Sequence, residues 1–229
     1  MITCMVSGIA KGRFLERGRW LAAYSDQIYV VCPRCGGRAV VIPRPGLPEL
    51  RYYSQLLFRP RRLACPQCGI TKEWEAQRRG AYRVGVALGG STEPFFGRPL
   101  WLQVPCCGHT LWAFNERHLD VLQAFVAAGL RERGGYASTT AMIPRLPVWM
   151  KRASHRADVL RAIGRLRDQV RRSAPEDRPE AAYERPGEHK SRAYPGLGLR
   201  RGPGLQLRQL LTAPSWLARI LSVFPNGPF

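Results

Sequence analysis

The chain has no long apolar run, which bears on where the protein can reside. Its longest apolar stretch near the end, residues 216–224, includes Arg219 and is far too short to span a bilayer. Residues 1–27 carry several charges, Lys11 and Glu16 among them, and these break the apolar core that a signal peptide needs. We therefore expect a cytoplasmic protein without a membrane partner.

Sequence motifs that carry catalysis are missing as well. The glycines of residues 85–90 lack the Lys-Ser or Lys-Thr pair of a phosphate-binding P-loop. No pair of carboxylates for acid–base catalysis and no Ser-His-Asp pattern stands out. The sequence therefore favours a protein that is not an enzyme, and it identifies no small-molecule substrate.

Acidic residues are scarce. The sequence has 16 Asp and Glu against 36 Lys and Arg, which gives a formal net charge of +20. Such a charge favours an anionic partner, most simply DNA or RNA. Only four of the basic residues are lysine, and arginine dominance in a chain with many Gly, Pro and Ala residues is also typical of a GC-rich coding sequence. Composition alone leaves both explanations open.

Two copies of the motif Cys-Pro-x-Cys-Gly are the strongest signal that is present. The first contains Cys32 and Cys35, and the second contains Cys65 and Cys68. Four thiolates complete a closed tetrahedral zinc site, and the glycine after each second cysteine permits the positive φ that directs amide N–H groups at sulfur. This use of cysteine is typical of metal thiolates in a reducing cytosol. We predict one bound zinc (Zn), with two separate redox dithiols as the alternative.

A further cluster of ligand-type residues lies later in the chain. Cys106, Cys107 and His109 fall between two apolar segments, 100–104 and 109–114, which predict a β-hairpin. These three residues could bind a metal with Cys4, His118 or water as the fourth ligand, and with water the site would be open, as in a metal-dependent hydrolase. We prefer the alternative, in which the hairpin strands are apolar on both faces and the thiols pack as small apolar groups in a buried turn.

Residues 51–62 interleave arginine with aromatic residues. Arginine neutralises phosphates and aromatic rings stack on bases, so this segment is a candidate nucleic-acid interface. In the alternative, the aromatic side chains cover the metal-binding part and the arginines stay solvated. The candidate contact residues are Arg51, Tyr52, Tyr53, Arg59, Arg61 and Arg62.

Two helices are predicted after the hairpin. Asn115 is a favourable N-cap, and apolar residues at three- and four-residue spacing predict a helix over 116–133 that Gly134 ends. A second helix is predicted over 154–172, with an apolar stripe that includes Val159 and Ile163. Residues 13–24 are compatible with a further short helix.

Parts of the sequence resemble known families. The segments FGRPLWLQ (96–103), CCGHTLWA (106–113), LPVWMK (146–151) and VLRA (159–162) resemble uncharacterised bacterial proteins named for a transcription-factor-IIB-type zinc ribbon. This resemblance covers about residues 28–172 and implies a metal site without an established activity. The run CPQCGITKEWE (65–75) is similar to the second half of a rubredoxin site, which implies an iron electron carrier as an alternative.

These patterns together predict an α+β fold, with a Cys4 zinc ribbon, an added β-hairpin, two helices and a disordered tail. We expect an N-terminal extension (1–27), the ribbon with an insert (28–90), a hairpin plus two-helix unit packed on the ribbon (91–172), and a disordered linker with a candidate terminal helix (173–229). The predicted role is that of a non-catalytic nucleic-acid-binding or regulatory accessory. The alternative is a zinc-stabilised module for protein–protein interaction.

Overall fold

A four-stranded antiparallel sheet carries both cysteine motifs. The structure is a computed structural model that describes residues 12–134 and 140–179, all within the first of two units, Met1–Arg185. The strands are β1 (Arg13–Glu16), β2 (Ile28–Val31), β3 (Arg38–Pro43), β4 (Arg61–Ala64), β5 (Thr71–Trp74), β6 (Arg78–Arg79), β7 (Tyr82–Arg83), β8 (Leu102–Cys106), β9 (His109–Ala113) and β10 (Leu130–Arg133).

Helices make up the other layer of the fold, so the α+β class predicted from the sequence is confirmed. The α-helices are α1 (Glu116–Ala127), α2 (Val148–Lys151) and α3 (Arg156–Val170). Short 3-10 turns lie at Leu21–Tyr24, Tyr53–Leu57, Ile143–Arg145, Ala153–His155 and Pro175–Asp177. None of the helices in the described part of the chain is long and apolar enough to cross a membrane.

The register of the central sheet places the two cysteine motifs side by side. The strand order is β2-β3-β4-β5, and the middle strands pair Val40 with Ala64. The first motif connects β2 to β3 and the second connects β4 to β5, so both turns lie at the same end of the sheet. Alternate residues of β3, Ala39 and Val41, are buried with Leu63 of β4, as expected for a sheet with one face on the core.

The second hairpin forms as predicted, with a two-residue loop. Strands β8 and β9 pair from Leu102 with Ala113 to Cys106 with His109. The expectation that both faces are apolar and buried is wrong at the loop end, where His109 and Thr110 are exposed. Cys106 at this end is nevertheless buried, and the His109 ring stacks on Trp149 of α2, so only part of the loop end is open to solvent.

The first helix is shorter than predicted. The apolar spacing predicted a helix over 116–133, but α1 ends at Ala127 and residues 130–133 form strand β10. This strand pairs in parallel with β1, and the Leu130 N–H donates to the Gly12 carbonyl at 2.8 Å. The pairing partner lies more than one hundred residues away in sequence, so local periodicity could not reveal it.

Residues before the central sheet are part of the folded body. The short helix expected over 13–24 is wrong: Arg13–Glu16 is a strand, and only Leu21–Tyr24 is helical, as a 3-10 turn. Tyr24 is buried in the same core as the sheet residues. The described part of the predicted N-terminal extension therefore contributes to the core.

The second predicted helix is confirmed, with slightly shorter bounds, as α3. Its residues Val159, Ala162, Ile163 and Leu166 are buried, so the predicted apolar stripe faces the core. The following residues, 173–179, were assigned to the disordered linker, but they contact the first cysteine motif: the Arg38 N–H donates to the Ser173 carbonyl at 2.9 Å. The rest of the predicted linker and its candidate helix lie outside the described residues.

His118 of α1 makes the stability of the fold depend on pH. The ring is buried, stacks on Tyr24 at 5.3 Å, and its Nδ1 accepts a hydrogen bond from the Phe114 N–H at 3.2 Å. Burial lowers the pKa of His118 from 6.5 to about 3. Below pH 6.5 the unfolded chain binds a proton at His118, whereas the folded chain does not. The stabilising contribution of neutral His118 to folding is therefore complete above pH 6.5 and is lost as the pH falls towards 3.

We predict that His118→Gln removes this pH dependence. Between about pH 7.5 and about pH 5.5, the wild type should lose roughly 1 kcal/mol of unfolding free energy relative to the variant. Urea unfolding at the two pH values measures the difference. Other titrating groups are common to both proteins and cancel in the comparison. A wild-type-minus-variant difference that stays constant with pH would contradict the prediction.

Candidate metal centre

The two cysteine motifs adopt the same turn. In the first, the Cys32 N–H donates to the Gly37 carbonyl at 2.8 Å, and in the second the Cys65 N–H donates to the Ile70 carbonyl at 3.0 Å. The glycine after each second cysteine has a positive φ, 77° at Gly36 and 70° at Gly69. These are the conformations for which the sequence motif requires glycine.

The four sulfur atoms of the two motifs converge. The Sγ atoms of Cys32 and Cys68 are 3.6 Å apart, and those of Cys35 and Cys65 are 3.7 Å apart. All four lie within 4.8 Å of one another. A tetrahedral ion with metal–sulfur bonds of about 2.3 Å requires sulfur atoms about 3.8 Å apart, so the spacing fits one ion bound by all four thiolates.

Backbone N–H groups surround the sulfur atoms. The Arg34 N–H lies 3.4 Å from Cys32 Sγ. Burial raises the pKa of Cys65 to about 12, whereas a hydrogen bond from the Ile70 N–H is the main reason that the pKa of Cys68 falls to about 7. Ion binding must displace the protons of the buried thiols, so metal affinity decreases as the pH is lowered.

The end of α3 and Ser173 after it pack beside the first motif. The Arg38 guanidinium donates to the Val170 carbonyl, and the indole N–H of Trp101 donates to the Gln169 carbonyl at 3.1 Å. A Cβ atom placed on Gly37 would lie 2.8 Å from the Ser173 carbonyl oxygen. The backbone at Gly37, directly after the first motif, and the backbone at Ser173 are therefore too close for a side chain at position 37.

The later ligand-type residues do not gather into one site. Within the described ranges, the four motif cysteines are the only group of three or more such residues whose ligand atoms all lie within 4.8 Å. The sulfur atoms of Cys106 and Cys107 are 3.7 Å apart, but the His109 ring stacks on Trp149 with centroids 5.1 Å apart. The structure thus pairs the two thiols and does not place His109 in a three-ligand cluster with them.

Arg61 was a candidate nucleic-acid contact, and the structure contradicts this assignment. Its side chain is fully buried and donates to Ser25 and to the Leu56 carbonyl, with the guanidinium 4.5 Å from the centre of the Phe95 ring. Burial lowers the pKa of Arg61 to about 10, and the nearby Glu93 carboxyl opposes that shift. Arg61 links residues 51–62 to the core through hydrogen bonds, and its buried side chain cannot reach a phosphate.

The other candidates in residues 51–62 are divided. Arg62 pairs with Glu73 at 2.6 Å across β4 and β5, and Arg59 donates to the Pro48 carbonyl at 2.8 Å. Arg51 and Tyr52 are exposed, Tyr52 by 70 %. Tyr53 begins a 3-10 turn. Arg59 and Arg62 are therefore engaged within the protein, and Arg51 and Tyr52 are exposed.

The β6–β7 hairpin is basic and lies next to residues 51–62, and the sequence analysis did not single it out. Strands β6 and β7 place Arg78 opposite Arg83 and Arg79 opposite Tyr82, and residues 77–84 are all exposed. The run Arg-Arg-Gly-Ala-Tyr-Arg carries the signal, since a glycine turn joins two short segments of arginine and tyrosine. Only the folded chain shows that all these side chains face solvent.

Comparisons with known proteins return no match: no protein-family model, no curated protein and no solved structure is similar to this chain. The resemblance to the ribbon proteins therefore remains a prediction. What the geometry defines is a protein with a tight four-cysteine cluster able to hold one metal ion.

We predict that Cys32→Ser abolishes metal binding at the four-cysteine cluster. Three thiolates leave the buried centre open, and the turns of the two motifs lose the ion that joins them. Elemental analysis and limited proteolysis should show loss of metal and cleavage near residues 32–70. Cys107→Ser is the matched control and should retain the metal. Equal metal content in the Cys32→Ser protein and the wild type would refute the four-cysteine assignment.

We also predict that Gly37→Ala weakens the fold at the junction with α3. The added methyl group collides with the Ser173 carbonyl, which is backbone and cannot rotate away. The control is Gly164→Ala on α3, where a Cβ meets nothing within 4 Å and should stabilise the helix by about 0.5–1 kcal/mol. Thermal unfolding compares the two variants. A Gly37→Ala protein as stable as the wild type would show that the contact with residue 173 is dispensable.

Proposed function

We propose that this protein is a non-catalytic zinc-ribbon protein that binds nucleic acid through its phosphates. The β6–β7 hairpin is the observation that carries the proposal. The resemblance to bacterial zinc-ribbon proteins supports the ribbon, and the four-cysteine cluster supports the metal. A closed four-thiolate site has no open position for water or substrate, which favours a structural role for the ion.

Zinc is the ion that we propose for the cluster. The chain is basic, with thiolates from two Cys-Pro-x-Cys-Gly motifs, and zinc is the usual ion of closed Cys4 sites that stabilise small β-units. An iron tetrathiolate, as in rubredoxin, uses the same ligands and is the alternative. Purified protein distinguishes them directly, because the zinc form is colourless and the oxidised iron form is red. A red protein that contains iron would replace zinc by iron.

The hairpin carries positive charge that its own fold does not neutralise. Arg78 and Arg83 lie directly opposite each other, and like charges at such positions destabilise a strand pair. A two-stranded hairpin has little stability to spare. Among residues 12–134 and 140–179, no carboxylate forms an ion pair with an arginine of this hairpin, although seven other arginines have carboxylate partners. An anion bound between Arg78 and Arg83 would remove the repulsion.

Tyr82 adds an aromatic surface to the same hairpin. Its side chain is 79 % exposed and pairs across the strands with Arg79. An exposed tyrosine beside arginine suits a single-stranded nucleic acid, because the backbone can contact the guanidinium groups while a base stacks on the ring. The base of the hairpin contacts residues 51–62, because the Val86 N–H donates to the Leu57 carbonyl at 3.0 Å.

A protein partner is the second candidate function, and a different surface favours it. Within the described residues, β1 and β10 pair only with each other. Leu15 and Leu130 on these strands are each about half exposed. An open two-stranded sheet with exposed leucines can accept a strand from another protein.

We predict that the full chain binds single-stranded DNA or RNA with a steep dependence on salt. Fluorescence anisotropy at several salt concentrations measures the slope of log affinity against log salt. Replacing both Arg78 and Arg83 by alanine should lower that slope by roughly 1.4, because each phosphate contact to a single strand contributes about 0.7. Tyr82→Ala should weaken binding without changing the slope, since stacking releases no counterions.

The control for the arginine pair is the double variant Arg13→Ala with Arg161→Ala. Both arginines are exposed and both already pair with carboxylates, Glu132 and Asp158. This control removes the same two charges from the chain and should leave the slope close to that of the wild type. Absence of binding at low salt, or an equal effect of both double variants, would count against the hairpin and favour the protein partner.

A further inference from the structure

Cys106 and Cys107 form an unusual pair at the loop of the β8–β9 hairpin. Cys106 ends β8 opposite His109, and the loop between them consists of Cys107 and Gly108. Both loop residues have positive φ, 50° at Cys107 and 72° at Gly108. Positive φ at both positions is the pattern of a type I′ turn, the turn that best matches the twist of a hairpin.

Cysteine is not a residue that such a turn favours. Asn, Asp and Gly dominate these positions because they tolerate positive φ. In the described part of the chain, Cys107 is the one residue other than glycine with this backbone conformation. A strained residue in an otherwise regular hairpin points to a role for its side chain.

The strained turn brings the two sulfur atoms together. Neighbouring side chains of an extended strand point to opposite faces, which keeps their ends far apart. Here the left-handed conformation of Cys107 turns its Sγ back to within 3.7 Å of Cys106 Sγ. Replacing Cys107 by a residue that prefers this turn would make the hairpin more regular and remove the contact.

The sulfur spacing is that of a chelate. The closest sulfur pairs in the four-cysteine cluster are 3.6 and 3.7 Å apart, and the Cys106–Cys107 pair has the same spacing. Two bonds of about 2.3 Å to one ion at this spacing enclose a roughly tetrahedral angle. The spacing is too short for an ion that prefers two thiolates in a straight line.

The surroundings leave one side of the pair accessible. Cys106 is buried, whereas Cys107 is partly exposed. Burial is the main reason that the pKa of Cys106 rises to about 12, and the positive charge of Arg165 acts in the opposite direction. Arg165 is held beside the hairpin, donating to the Pro105 carbonyl at 2.9 Å. A ligand can thus reach Cys107 from solvent and then bond to Cys106 behind it.

We propose that Cys106 and Cys107 form a dithiol site for a soft, thiophilic ion, such as trivalent arsenic or a divalent ion of the zinc and cadmium group. The two sulfurs occupy adjacent coordination positions, and the remaining positions stay open to solvent. With an organoarsenic(III) oxide, two arsenic–sulfur bonds form, both thiol protons leave with the oxide oxygen as one water molecule, and arsenic stays trivalent. No oxidant or reductant is needed.

The test uses the zinc-loaded full chain and phenylarsine oxide. Zinc occupies the four motif cysteines, so the free dithiol is the available chelator. After one equivalent of reagent, an excess of a monothiol is added, and mass spectrometry with peptide mapping locates the retained arsenic. We expect the wild type to keep one phenylarsenic group per chain on the peptide containing Cys106 and Cys107. A dithiol competitor should remove it, because only another chelate competes with two bonds.

The variant Cys107→Asn separates a loss of arsenic binding from a loss of folding. Asparagine suits the positive φ of this turn, so the variant should melt at the same or a higher temperature while it loses the arsenic to monothiol. Cys106→Ala should lose it as well, and Cys4→Ser should behave like the wild type. Release from the wild type as easily as from the variants, or arsenic mapped to the motif cysteines, would overturn the proposal.

A cadmium arm distinguishes the two kinds of ion. If the site takes divalent metals as well as arsenic, the zinc-loaded wild type should bind one additional cadmium, seen by sulfur-to-cadmium charge-transfer absorption and absent in Cys107→Asn. Retained arsenic without additional cadmium would assign the site to trivalent metalloids. Failure of both arms would overturn this inference and leave the nucleic-acid proposal untouched, since the two use different residues.

Discussion

Four sulfur atoms converge at one end of the central sheet, and the strand pairing and the packing of α3 meet there. Each cysteine motif is a tight turn, and the pairing of β3 with β4 sets the two turns side by side. Unpaired, four thiolates this close would repel one another strongly, so the arrangement is consistent with a shared cation. The same end of the sheet holds the end of α3 and Ser173 after it, through hydrogen bonds from Arg38 to the Val170 and Ser173 carbonyls.

Burial divides the arginines of this protein into different physical roles. Arg61 is enclosed and satisfies carbonyl groups of the core, and Arg62 pairs with a carboxylate on the next strand. The arginines of the β6–β7 hairpin remain in solvent with a like charge opposite. Within the described residues, the positive charges are therefore not equally accessible: Arg61 is enclosed and Arg62 is paired, whereas Arg78 and Arg83 are exposed.

The four-cysteine cluster, the basic hairpin and the Cys106–Cys107 pair occupy separate turns of one scaffold. The metal cluster lies at one end of the central sheet, the basic hairpin follows β5, and the dithiol lies at the loop of β8–β9. Two of these turns depart from what their local sequence prefers: arginines lie opposite each other in the β6–β7 hairpin, and a cysteine adopts a positive φ in the β8–β9 loop. Such local conflicts tend to persist where a ligand or a partner compensates for them.

Short-range residue spacing is enough to predict several features of this protein. The Cys-Pro-x-Cys-Gly turns, the β8–β9 hairpin and the apolar face of α3 could all be predicted, because the residues that form them are neighbours in the chain. Tertiary structure alone decided where α1 ends, because β1 supplies a distant strand for residues 130–133. It also decided that Arg61 is buried and that the arginines at 78 and 83 face each other in solvent, since burial depends on what packs above a side chain and local sequence does not record that.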